Sequence, residues 1–119
     1  MAAHIVCVLI DCLRIESEAN RREHWRKAAS RKAHHRQTAR LFMQAHARPQ
    51  NTPISIKLTR IAPRVLDDDN LASGFKAARD GVADWLGIDD GDKRLSWSYD
   101  QRKGNPGQYA AEVLVEWES

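Results

Sequence analysis

The sequence predicts an α+β (α/β mixed) domain: a small mixed β-sheet with one long basic helix, one amphipathic helix and a C-terminal β-hairpin. Three observations predict it. Strand-like alternation of apolar and polar residues recurs three times after an initial β-branched run. One segment carries a clean helical stripe, and a long segment free of Gly and Pro, rich in Ala, Arg and Lys, precedes it. The chain has 119 residues, 42% hydrophobic and 29% charged, which is too apolar for a disordered chain and too short for a second core. A single domain over 1–119 is the expectation.

The first strand is Ile5-Val6-Cys7-Val8-Leu9-Ile10, apolar on both faces as in a strand inside a sheet. Residues 17–47 then read as helix. Its apolar side is thin, consisting of Trp25, Ala29 and Ala33, then Leu41, Phe42 and Ala45, so its first half reads equally as an arm that orders on a partner. Pro49 and Pro53 break it. Ile54, Ile56 and Leu58 alternate with Ser55, Lys57 and Thr59, predicting a half-buried strand that Pro63 ends. Leu71, Phe75, Ala78, Val82 and Trp85 form the stripe of the second helix, with Asp69 or Asn70 as its N-cap and Gly87 beyond its end. Leu95, Trp97 and Tyr99, then Tyr109, Ala111, Val113, Val115 and Trp117, predict two strands joined through Gly104-Asn105-Pro106-Gly107 as a hairpin.

If the first apolar stretch runs as one strand through Cys12, Cys7 and Cys12 point to opposite faces of it, and both are expected to be buried free thiols in a reducing cytoplasm. The run from Ile5 to Ile10 is too short for a signal-peptide core and far too short to span a bilayer. The net charge of +3 hides a split. Residues 21–48 hold nine Lys or Arg against Glu23 alone, whereas residues 67–92 hold eight Asp against Lys76 and Arg79. A basic half and an acidic patch together suggest a polyanion partner and a bound cation.

The acidic patch has the donor chemistry for that cation. In an extended chain Asp67 and Asp69 point to one side, roughly 7 Å apart. A third carboxylate from the Asp89-Asp90-Gly91-Asp92 loop, Asp90 for example, would complete a hard oxygen site for Mg²⁺ or Mn²⁺. The same residues serve equally as helix caps and turn formers. The EF-hand pattern is excluded, because no Glu follows at the required position.

Leu66-Asp67-Asp68-Asp69-Asn70-Leu71, then Phe75-Lys76-Ala77, and the run from Asp80 to Asp90 resemble the RusA-like Holliday junction resolvases, small endodeoxyribonucleases common in phages and prophages. The likeness is close over 63–92 and extends to the rest by element order. It implies Mg²⁺-dependent resolution of four-way DNA junctions in recombination and repair, by a homodimer. It also implies that Asp67, Asp69 and Asp90 hold the catalytic metal, that Lys76 acts near the scissile phosphate, and that Asp89 and Asp92 support them. The family's glycine- and aromatic-bearing N-terminal loop is replaced here by the longer basic segment.

Arg21, Arg22, Arg26, Lys27, Arg31, Lys32, Arg36 and Arg40 are the candidate contacts to a phosphate backbone. His34 and His35, adjacent on a helix, face different sides and are expected to be partly solvated. Trp25 is expected to pack on the core, with base stacking as the other reading. Two rival functions use the same residues. One is a non-catalytic DNA-binding module, and the other is a Mg²⁺-dependent nucleotide or pyrophosphate hydrolase.

Overall fold

The computed structural model describes residues 2–17 and 24–119. Its elements run β1 (Ala3–Ile10), α1 (Trp25–Met43), β2 (Ile54–Ala62), α2 (Asp68–Leu86), β3 (Leu95–Lys103) and β4 (Ala110–Glu118). The strands form one four-stranded mixed sheet in the order β1-β4-β2-β3, so the fold is α+β as expected. β2 and β3 are parallel, which requires a crossover, and α2 supplies it. β4 runs antiparallel to both β1 and β2.

The C-terminal hairpin does not form. β2 lies between β3 and β4, and the Gly104 amide donates to the carbonyl of Ala62, the last residue of β2, at 2.8 Å. The chain therefore crosses the end of β2 to reach the inner side of the sheet. Alternation correctly indicated two strands but carries no information on which strands are neighbours.

β1 is also an edge strand rather than an interior one. Val8 and Ile10 enter the core, while Ile5 (65% exposed), Cys7 and Leu9 (53% exposed) lie on the uncovered face. Both thiols, Cys7 and Cys12, are exposed, which overturns their expected burial. Burial of part of its surroundings and the neighbouring Glu112 carboxylate nevertheless push the Cys7 thiol pKa up.

Both helices pack on the other face, where one continuous core joins Ile10, Leu13, Met43, Leu58, Phe75, Val82 and Val113. The α2 stripe is buried as its spacing predicts. The α1 face is only in part the predicted one: Phe42 packs against the core as expected. His35, Ala39 and Met43 are buried at successive four-residue steps, while Trp25 (68% exposed), Ala29, Ala33 and Leu41 face out. His34 is exposed and His35 buried, so the pair is not equally solvated. The helix spans 25–43 within the predicted 17–47; residues 18–23 lie outside the described residues.

Two glycines inside α2 set how closely its neighbours approach. A Cβ at Gly81 would meet the Arg36 carbonyl and come within 3.0 Å of Ala39 Cβ. One at Gly74 would lie 2.6 Å from the Glu16 carbonyl oxygen. Gly87 ends α2 at φ 72, the left-handed conformation expected of a C-terminal cap. Arg60, 6% exposed, ties loops together by donating from Nε to the Ile15 carbonyl at 2.7 Å and from its guanidinium to the Arg64 carbonyl. Among the described residues, no helix is long and apolar enough to cross a membrane.

Candidate functional site

The acidic motif sits at the start of α2. Gln101 of β3 brackets the residue before it, accepting from the Leu66 amide at 2.8 Å and donating to the Leu66 carbonyl at 2.6 Å. Asp67 is extended (φ −69, ψ 165) and is itself the N-cap, its Oδ1 accepting from the Asn70 amide at 3.0 Å. The expected caps, Asp69 and Asn70, instead lie within the first turn. The chain is thus helical from Asp68, and the extended geometry that set Asp67 and Asp69 on one side does not hold. Capping explains the difference, because Asp67 satisfies an otherwise unpaired amide and the helix dipole favours the two following carboxylates. Asp68 and Asp69 are exposed and have no hydrogen-bond or ion-pair partner among the described residues.

Asp90 is placed very differently. Its Oδ2 accepts from Lys76 Nζ at 2.7 Å and from Arg79 Nε at 2.9 Å. Its carbonyl accepts from the second Arg79 nitrogen at 3.0 Å and from Trp97 Nε1 at 2.8 Å. The Lys76 ammonium, more than any other group, holds the Asp90 carboxyl below the usual carboxylate range. Lys76 is shared with Asp80 at 2.8 Å, one helical turn on, and its own pKa is raised by the two carboxylates. Arg79 also donates to the Tyr99 hydroxyl at 2.8 Å and lies 4.6 Å from the Trp97 ring centre.

Lys76 and Asp90 are therefore brought together, whereas Asp67 and Asp69 are not in contact with them. Asp69 is seven residues before Lys76 on the same helix face, about 10 Å away along the axis. The strand residues that anchor the two acidic segments, Gln101 and Trp97, are four positions apart on β3, about 13 Å. Among the described residues no three His, Cys, Asp or Glu side chains form a group that could hold a metal ion. The donor chemistry of Asp67 and Asp69 suits a hard divalent cation, but Asp90 is occupied by two cationic side chains. Asp89 and Asp92 shape the loop: Asp89 accepts from the Gly91 amide, and Asp92 pairs with Arg94, which holds its carboxyl down to about 2.

Among the described residues, the basic side chains of α1 do not form one surface. Arg21 and Arg22 lie outside the described residues. Arg26, Lys27, Lys32 and Arg40 are exposed on α1. Lys32, Arg36 and Arg40, four residues apart, form a stripe on the side toward α2, whereas Lys27 and Arg31 flank the opposite side of the buried face. Arg36 forms a two-toothed pair with Asp84 of α2, at 2.8 and 2.9 Å, which raises the guanidinium pKa and lowers that of Asp84. Part of the charge split in the sequence is thus spent on joining α1 to α2.

Between these helices runs an open groove of about 680 Å³. Ala33, Ala72 and Ala77 give it apolar walls, and Tyr99 contributes a ring. Lys32, Arg36, Lys76 and Arg79 line it with Asp80. Since Asp80, Asp84 and Asp90 pair with the last three cations, Lys32 is the cation of this lining without a carboxylate partner among the described residues. Ser73 and Lys76, which line it, share a helix face with Asp69.

Sequence reasoning missed Arg79, Trp97 and Gln101 as parts of this site. Arg79 carried a signal, since it is three residues after Lys76 and so faces the same way. Gln101 carried none, because its partner is 35 residues distant. No protein-family model matches this sequence, and no curated protein matches it either.

Proposed function

We propose that this chain is a Mg²⁺-dependent, structure-selective endodeoxyribonuclease acting on four-way DNA junctions, with Mn²⁺ as the substitute ion. One observation carries the reading: a groove lined by Lys32, Arg36, Lys76 and Arg79 runs along the α2 face whose first turn presents Asp69, a carboxylate with no partner among the described residues. Phosphodiester hydrolysis needs this combination. The phosphate is already anionic, so cations must hold it before water can attack. Lys32, Arg36 and Lys76 bind and orient the backbone, and Lys76 Nζ donates to a phosphoryl oxygen as charge develops there. Asp67 and Asp69 are the carboxylates available to hold the ion, and Asp90 joins them only by giving up Lys76 and Arg79. When bound, the divalent ion would supply a water of lowered pKa and offset charge on the phosphate. Cutting both strands of a junction takes two sites, so the active form in this reading is a homodimer. A reducing cytoplasm, in which the exposed Cys7 and Cys12 thiols persist unpaired, completes it.

The Asp67 cap and the ion-paired Asp90 favour one other reading, a DNA-binding module without cleavage. Incubating the protein with a four-way junction, a linear duplex and a nucleoside triphosphate, with and without Mg²⁺, separates these readings. The proposal expects junction cleavage that needs the ion and leaves 5′-phosphate and 3′-hydroxyl ends. Asp69→Asn should lower cleavage at least about 100-fold while junction binding is retained or strengthened. Binding without cleavage in either Mg²⁺ or Mn²⁺ would establish the second reading. Hydrolysis of the triphosphate alone would overturn both and leave the nucleotide hydrolase.

A further inference from the structure

The groove between α1 and α2 has a volume and a lining that suit a small group such as a single nucleotide. Its volume of about 680 Å³ is of the size that ligand sites occupy. Its walls are small because Ala33, Ala72 and Ala77 stand where larger residues would close it. Tyr99 adds an aromatic ring, fixed by the Arg79 bond to its hydroxyl at 2.8 Å and by the Phe75 ring at 6.0 Å. An apolar slot with an aromatic ring suits the faces of a base. The cations suit what is attached to the base: Lys32 has no carboxylate partner among the described residues, and Lys76 and Arg36 stand on opposite walls.

We infer that this groove holds one unpaired nucleotide of a DNA strand, the base between the alanine walls and Tyr99 and the phosphates on Lys32 and Lys76. The inference rests on the reading of the protein as a DNA enzyme and names the part of the substrate that this site takes. A base stacked in a duplex cannot enter, whereas an unpaired one can leave the stack at modest cost. The groove is open rather than closed, so the strand can continue past Asp69 instead of ending inside. Stacking on Tyr99 and the alanine walls is sequence-tolerant, because every base has a π-face.

Binding measured in chelator separates this subsite from catalysis. Three probes suffice: a duplex with one bulged 2-aminopurine, the same duplex fully paired, and a free mononucleotide. Ala33→Trp fills the groove from an exposed position on α1, and Lys32→Glu reverses the unpaired charge without adding bulk; thermal melting checks that each variant folds. Wild type should bind the bulged probe about tenfold more tightly than the paired one, with a change in 2-aminopurine emission. Each variant should remove most of that preference and the emission change, with much smaller loss for the paired duplex. If neither folded variant alters the preference, or wild type has none, the subsite is refuted while the proposed function stands. Tightest binding to the free mononucleotide also refutes it. Failure of wild type to bind any DNA would overturn the proposed function as well.

Discussion

Replacing Gly81 by Ala ought to strengthen α2 if the helix stood alone, since Ala is favoured over Gly inside a helix by about 1 kcal/mol. The tertiary structure reverses the sign. The new methyl would sit 3.0 Å from Ala39 Cβ and 3.1 Å from the Arg36 carbonyl carbon, with the carbonyl oxygen nearer still. Carbon atoms pack best at about 3.5–4.0 Å, so α1 must retreat by roughly 0.5–1 Å. Neither obstacle is the end of a flexible side chain; one is backbone and the other a helix methyl. Overpacking of this kind costs about 1–3 kcal/mol, and a rigid obstacle places it in the upper part of that range. Subtracting the propensity gain leaves a net loss of about 1–2 kcal/mol. For a chain of this length that lowers the melting midpoint by roughly 3–10 °C. Circular dichroism melting, with urea titration to verify an unchanged slope, reads it directly. Gly91→Ala, which meets only the flexible Asp89 side chain at 3.2 Å, is the matched control. A Gly81→Ala midpoint equal to or above wild type would refute the close-approach account of this helix pair.

The remaining predictions address the site. Gln101→Leu leaves the Leu66 amide and carbonyl without their partners and should cost about 1–3 kcal/mol of stability. Because it loosens the peptide before Asp67, it should also lower kcat more than it raises KM, in the same junction assay. Asp90 and Asp84 both have carboxyl pKa values lowered in the folded chain, by Lys76 and Arg36 respectively. The unfolded chain therefore binds protons first as pH falls. Their contribution is complete above about pH 5 and is lost progressively below about pH 4, where melting should show Asp90→Asn with a shallower acid decline than wild type. Exchanging Lys32 and Arg40 for Gln should weaken DNA binding equally across sequences. It should also reduce the log–log salt slope by up to about one for each phosphate no longer neutralised, measured by titration at several salt concentrations.

Local residue patterns carried the elements themselves. The α2 stripe from Leu71 to Trp85, the Gly87 cap and the alternation in β2, β3 and β4 were legible because each depends on residues within a few positions. The pairing of β4 between β1 and β2 was not, since alternation identifies a strand but not its neighbour. The buried face of α1 was misread in part, for a related reason. Apolar size pointed to Trp25 and Leu41, yet the close crossing at Gly81 admits only the small Ala39 there, with Met43 and His35 on either side along the helix. The exposure of Cys7 follows from its place on the sheet face that neither helix covers, which no property of the Ile5–Ile10 run contains.

At the site the division is the same. The sequence alone determined which residues could act: an aspartate run opening a helix, a lysine within it, an acidic loop one helix later and a basic segment before them. Tertiary structure decided which of these meet. It put Lys76 and Arg79 on Asp90, gave Asp67 to the helix cap, left Asp69 without a partner among the described residues, and joined the basic and acidic halves through Arg36 and Asp84. The physical reason is range. Capping and periodicity act over a turn or two of chain, whereas an ion pair depends on where the fold brings residues 14 or 48 positions apart.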